Sequence, residues 1–288
     1  MQNEYCIILH ILIKRGVSMD SYNSFLLVMN IYYSVIVFIF GICIGSFLNV
    51  LIYRIPIGMD FKKGSSICPT CKHELKWYDL FPLFSWLFLR GKCRYCKTKI
   101  SAIYPIVESV TGIMFVLSFV FGTGCHFRLA LLGYFAVCSA LIVTFCIDRK
   151  HMFIPDSMWI TILVGGIVIY IDSLIKNGWD KSELISRIIG ALSISVLFYL
   201  IDYLKPDSIG GGDMKLMFGA GFALGLKKSV FALLVAGVVG TVFLIITNSM
   251  KKENMKKKIP FGPYLTIGIF TALIFGDLLI NWYTGLFA

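Results

Sequence analysis

Seven stretches of this 288-residue chain are apolar, almost without a charge, for the length of a membrane span: 25–52, 104–121, 129–147, 158–175, 184–204, 229–247 and 265–287. A hydrocarbon core about 30 Å thick needs about 20 such residues in a helix, so the pattern predicts a chain that crosses a membrane many times. β-Barrels alternate apolar and polar residues, and these runs do not. Composition agrees: 58% of residues are hydrophobic, 15% are charged, and the mean hydropathy is +0.81. A soluble domain is about 25% charged.

The net charge of +11 would suggest nucleic acid as a partner for a soluble protein. Here Lys and Arg are clustered: ten between Arg54 and Lys99, and five between Lys251 and Lys258. The positive-inside rule places both clusters in the cytoplasm and leaves no nucleic-acid reading. An eighth run, 214–226, is short and rich in Gly and Ala. If it crosses, both basic clusters fall on the cytoplasmic side; if it does not, the second falls outside. The expected fold is therefore an all-α polytopic membrane protein with about eight transmembrane helices. Both termini lie outside, and only Lys227 and Lys228 run against the rule. Gly41-x-x-x-Gly45 and Gly221-x-x-x-Gly225 fit close helix contacts.

The expected division is an N-terminal extension (1–24), a first transmembrane helix (25–52), a cytosolic loop domain (53–103) and a membrane domain (104–288). The stretch Tyr5 to Ile13 is too short to span, and Met19 is an alternative start to Met1. Four of the nine cysteines stand in the loop as Cys68-Pro69-Thr70-Cys71, then 21 residues, then Cys93-Arg94-Tyr95-Cys96. Two such knuckles at this separation signal a closed tetrahedral zinc site of four thiolates, structural in role. A redox or disulfide role is the alternative, and His73 is a spare ligand.

Ionisable groups at the membrane mark functional sites by default. Asp148 ends one run and Asp213 follows Gly210-Gly211-Gly212; by the parity of spans both reach the cytoplasmic ends of their helices. Two carboxylates in one site share a proton, so one can activate water while the other polarises a carbonyl. The glycines suit close backbone approach or a positive φ. Helix capping, or pairing with nearby Lys and Arg, is the competing role for either Asp. Asp156 follows Pro155 at a helix start, where an acid caps as readily as it catalyses. Glu108 is expected to pair with a basic group. Asp277 has no assigned role.

Over about 45–263, the chain resembles the bacterial type IV prepilin peptidase / N-methyltransferase family, which are membrane aspartic peptidases with a Gly-x-Gly-Asp motif. The resemblance is carried by Gly45-Ser46-Phe47-Leu48-Asn49-Val50 with Arg54 and Pro56, by the two cysteine pairs enclosing Trp77-Tyr78-Asp79 and Arg90-Gly91, and by Tyr104-Pro105 and Glu108. It continues through Asp148 with Ile154-Pro155-Asp156, Gly210-Gly211-Gly212-Asp213 with Lys215-Leu216, and Pro260-Phe261-Gly262-Pro263. It implies a catalytic pair, Asp148 and Asp213, supported by Asp156, Gly210, Gly212 and Lys215. The implied reaction removes the leader peptide of a prepilin or pseudopilin at the cytoplasmic face of the inner membrane. A second implied activity methylates the new N-terminus from S-adenosylmethionine, for which no Gly-rich nucleotide turn is visible. A peptidase whose cysteine loop is only structural is the nearer alternative. An ion-coupled transporter is the more distant one, since the acids gather at one face instead of lining a midplane path.

Overall fold

The fold is that of a computed structural model, which describes residues 19–59, 66–68, 70–206, 208–250 and 260–286. The extension 1–18, with the choice of start, and the basic cluster 251–258 lie outside the described residues. Among the described residues nine α-helices follow one another: α1 (Met19–Arg54), the short α2 (Phe84–Phe88), α3 (Ile103–Leu117), α4 (Leu129–His151), α5 (Asp156–Asn177), α6 (Lys181–Leu204), α7 (Gly211–Leu224), α8 (Leu226–Met250) and α9 (Gly262–Gly285). Among the described residues there is no β-strand, only two isolated bridges in the loop domain.

All seven long apolar runs form helices long and apolar enough to cross a membrane. Their outward residues, such as Val164, Leu197, Leu234 and Val238, are large and exposed, as lipid-facing residues must be. The eighth run forms α7, whose 14 residues reach about 21 Å, less than the hydrocarbon thickness.

Contacts nevertheless give α7 the direction of an eighth crossing. It runs antiparallel to α6, with Ser195 Oγ donating to Met214 O (3.2 Å) near one end and the backbones of Gly190 and Gly221 meeting near the other. It runs parallel to α5, Gly219 lying against Trp159 and Ala223 against Gly166. Helix α8 then returns beside α9, with Lys228 Nζ 2.6 Å from Asp277 and Gly240 over Tyr264. Direction therefore alternates through α4 to α9. The Lys227/Lys228 exception is partly neutralised by Asp277, the acid that had no assigned role.

A helix ending inside the apolar region leaves carbonyls that lipid cannot satisfy. Arg187 of α6 meets this need: its Nη1 donates to Phe222 O (3.2 Å) and Ala223 O (3.0 Å), while Glu183 Oε1 accepts from its Nη2 at 2.7 Å. Gly225 packs against Gly190 and Ser186 of α6 as its spacing predicted, and it also ends a helix. With φ 74° it terminates α7 in a conformation that suits glycine. Gly41 also packs as expected: a Cβ there would meet Gly112 Cα at 2.7 Å.

Candidate active site

Asp148 stands in the last turn of α4 and Asp213 in the first turn of α7. Both are buried, at 6% and 9% exposure, and their carboxyl groups interact electrostatically. The structure thus joins residues that sequence alone placed only at a common depth. Asp148 is not explained by capping, because an acid at a helix C-terminus opposes the helix dipole. Its Oδ2 is buried and makes no hydrogen bond, and neither does Thr144 Oγ1 one turn before it. Buried polar atoms without partners are rare and call for an explanation.

The surrounding glycines act through the absence of a side chain. A Cβ on Gly262 would lie 2.5 Å from Asp148 Oδ2, and one on Gly212 would lie 2.9 Å from Ile154. Gly210 faces Asp213, whereas Gly211 faces open space. None of the three glycines before Asp213 has a positive φ. Of the two alternatives the positive φ is excluded, because the segment enters α7 through extended backbone at Gly210 (φ −68°, ψ 133°), and close backbone approach is left. Sequence reasoning quoted Gly262 only within a motif; its contact with Asp148 spans 114 residues and left no local signal.

Asp156 and Lys215 form an ion pair, Nζ to Oδ1 2.7 Å, and Trp159 Nε1 also donates to Asp156 (3.2 Å). Asp156 is thus a link between α5 and α7 at the rim of the site. Pro155 sits where a helix begins, as expected, at the N-cap of α5. Asp202 accepts from the N–H groups of Ser208 (3.2 Å) and Ile209 (3.4 Å), fixing the chain just before Gly210. Glu108 corrects another expectation. Its Oε2 accepts from the backbone N–H of Leu83 at 2.7 Å, so its partner is an amide and not a basic side chain.

The loop domain sits at the same end of the bundle, since it joins the adjacent ends of α1 and α3, where Asn49 Nδ2 donates to Tyr104 O (3.1 Å). Its two knuckles repeat one construction. Cys68 N bonds His73 O and Lys72 N bonds Cys68 O, as Cys93 N bonds Thr98 O and Lys97 N bonds Cys93 O. Lys72 and Lys97 hold matching φ values of 58° and 61°.

The four Sγ atoms of Cys68, Cys71, Cys93 and Cys96 lie within 4.8 Å of one another. The Cys68–Cys96 separation of 3.8 Å equals the edge of about 3.8 Å for a tetrahedron with Zn–S of about 2.3 Å. The donor set fits zinc. The Thr98 hydroxyl and backbone hold the Cys96 thiol down to about 6, toward the thiolate a metal requires. His73 stacks on Tyr95 with ring centroids 3.6 Å apart and is not among the four ligands. Beside the knuckles burial disfavours the charge on Asp79, but hydrogen bonds from Arg94 and Tyr95 outweigh it and keep the carboxyl below its ordinary range.

Fold and site together define a polytopic helical membrane protein with a buried carboxylate pair and a four-cysteine domain at one end. Two family models match the chain: the bacterial peptidase A24 N-terminal domain over residues 39–121, and the type IV leader peptidase family over residues 135–245. The prepilin leader peptidase/N-methyltransferase of Aeromonas salmonicida (strain A449) is 33% identical over 280 residues, 88% of this chain and 94% of that protein. The protein of that name from Pectobacterium carotovorum subsp. carotovorum is 31% identical over 252 residues, 80% of this chain and 88% of its own. The one from Burkholderia pseudomallei (strain 1026b) is 29% identical over 270 residues, 83% of this chain and 84% of its own. No solved structure matches. The chain belongs to the type IV leader peptidase family.

Proposed function

We propose that this protein is a membrane aspartic endopeptidase that removes the leader peptide of type IV prepilins or pseudopilins at the cytoplasmic face of the inner membrane, and that it also N-methylates the new N-terminal residue. The observation that carries the peptidase reading is the pair Asp148 and Asp213, both buried and within electrostatic reach of each other, with Gly262 and Gly210 set against their carboxyl groups. Two carboxyl groups so placed keep one proton between them. The ionised member takes a proton from water as it attacks the scissile carbonyl. The protonated member donates to the carbonyl oxygen; as the resulting gem-diol collapses it takes that proton back, while the first member passes the proton it took from water to the leaving amine. Burial keeps both groups from bulk water, where these interactions would weaken. The positive-inside argument supports the cytoplasmic side, since the basic loop domain shares the end that carries both acids.

The four-cysteine domain is read as a zinc-stabilised unit, the metal holding the knuckles in place and taking no part in cleavage because four thiolates fill its coordination. The names of the relatives support the methylation. S-adenosylmethionine supplies the methyl group in this reading; no residue is assigned to it and no step runs through it.

Co-expression with a type IV prepilin, read by mass spectrometry, tests both activities. The wild type is expected to yield a shortened pilin carrying one added methyl, and Asp148→Asn and Asp213→Asn to leave the leader attached. Leader removal by either variant would overturn the role of that residue. A shortened but unmethylated pilin would leave the peptidase alone, with a purely structural cysteine domain.

A further inference from the structure

The loop domain carries an apolar segment that neither the carboxylate pair nor the knuckles use. Leu80, Phe81, Phe84, Leu87 and Phe88 lie in and around α2, with Leu87 66% and Phe88 81% exposed. Phe81, Phe84 and Phe88, with Tyr78, Ser85 and Arg94, line an open hollow of about 310 Å³. Five large apolar side chains presented together to water would be costly in a small domain.

The attachment of this segment shows what they face instead. Leu83, at φ 61°, donates its N–H to Glu108 Oε2 at 2.7 Å. Glu108 is buried in α3, its Cα against Gly45 of α1. Glu108 lies five residues beyond Ile103, the first residue of α3, about 8 Å along that helix. The segment is therefore pinned at a depth where the rest of the bundle meets lipid. Its backbone suits such surroundings. The N–H groups of Phe84, Ser85, Leu87, Leu89, Arg90 and Gly91 all bond to carbonyls within the segment, as non-aqueous surroundings require. Basic residues follow at once, Arg90, Lys92 and Arg94, with the Arg94 guanidinium 5.2 Å from the Tyr78 ring centre.

We infer that residues 80–88 form a lipid-embedded anchor, inserting their apolar side chains into the leaflet that holds the Asp148/Asp213 ends of the helices and setting Arg90 and Lys92 at its phosphates. The surface continues the lipid-facing side of α3, where Ile103, Ile106 and Val110 are exposed. Aromatic residues with basic neighbours suit the headgroup region. The anchor fixes the four-cysteine domain against the bilayer, independently of which reaction the protein performs.

Photo-crosslinking of the full-length protein in nanodiscs of phosphatidylethanolamine and phosphatidylglycerol tests it. The photoreactive p-benzoylphenylalanine replaces Phe88 or, as a control, the exposed Lys97. Irradiation is expected to give phospholipid adducts at position 88, at least tenfold more than at 97. No lipid adduct at 88, or equal adducts at both positions, would overturn the anchor. Replacement of the lipid adduct at 88 by a peptide adduct when a prepilin peptide is added would also overturn it, assigning the surface to substrate. Both positions are exposed, so folding is retained; monodisperse elution of each variant checks this.

Discussion

Lys215 Nζ lies 2.7 Å from Asp156 Oδ1, tying the first turn of α7, which carries Asp213, to the first turn of α5. Both side chains are more than half exposed (53% and 66%), and exposed ion pairs contribute about 0–1 kcal/mol to stability. The consequence of the pair lies in alignment. Asp156→Asn or Lys215→Met should shift the melting temperature by no more than about 3 °C while lowering the cleavage rate roughly tenfold, the cost of misplacing a catalytic group slightly. The charge-swapped double variant should recover part of that rate. Initial rates of leader removal, set beside thermal unfolding in detergent, separate the two effects.

Gly262 and Gly211 make opposite predictions. A Cβ at Gly262 would fall 2.5 Å from Asp148 Oδ2, whereas one at Gly211 meets nothing within 4 Å. Gly262→Ala should displace the Asp148 carboxyl and reduce processing at least a hundredfold with the protein still inserted in the membrane. Gly211→Ala should process prepilin within about threefold of the wild type. Pulse-chase processing of a co-expressed prepilin reads both variants.

Arg187 should matter for stability more than for chemistry. Replacing it with Met leaves Phe222 O and Ala223 O without this donor and Glu183 with the Ser173 hydroxyl alone. At about 1–3 kcal/mol for each of the two carbonyls left unsatisfied, the cost is roughly 2–6 kcal/mol. Arg187→Lys, with one ammonium in place of a fork, should recover about half of that. Denaturation of purified protein in mild detergent measures the difference.

The knuckles predict a metal dependence. Cys93 is 2% exposed and Cys68 5%, so Cys68→Ser or Cys93→Ser removes an interior ligand and should release zinc, read as the metal-to-protein ratio by atomic emission. Chelation of the wild type should loosen the loop domain, seen as faster proteolysis between residues 66 and 100, because a structural zinc site contributes folding free energy directly. Metal content unchanged in the serine variants would refute the zinc site.

Much of this arrangement is legible without coordinates. Apolar runs of spanning length predicted every long helix, because lipid leaves the backbone no other way to satisfy its hydrogen bonds. The cysteine spacing predicted a four-thiolate cluster, because each knuckle is a local turn that needs no distant partner. Counting spans against basic clusters put Asp148 and Asp213 at one end, although the eighth helix is too short to announce itself by hydropathy.

Other features depended on which helix lies beside which. Glu108 meets a backbone amide of Leu83, Gly262 covers Asp148, and Arg187 caps α7 from α6. In each case one partner is a backbone group or a missing side chain, which leaves no pattern in residue type.

The sequence by itself determined a multi-span helical chain, a four-cysteine domain and two acids at a common depth. Only the tertiary structure decided that those acids meet, which glycine makes room for them, and which arginine closes the short helix beside them. The physical reason is that spans and knuckles follow from local hydrogen bonding and transfer from water, which are read along the chain, whereas the site is set by packing between helices, which is not.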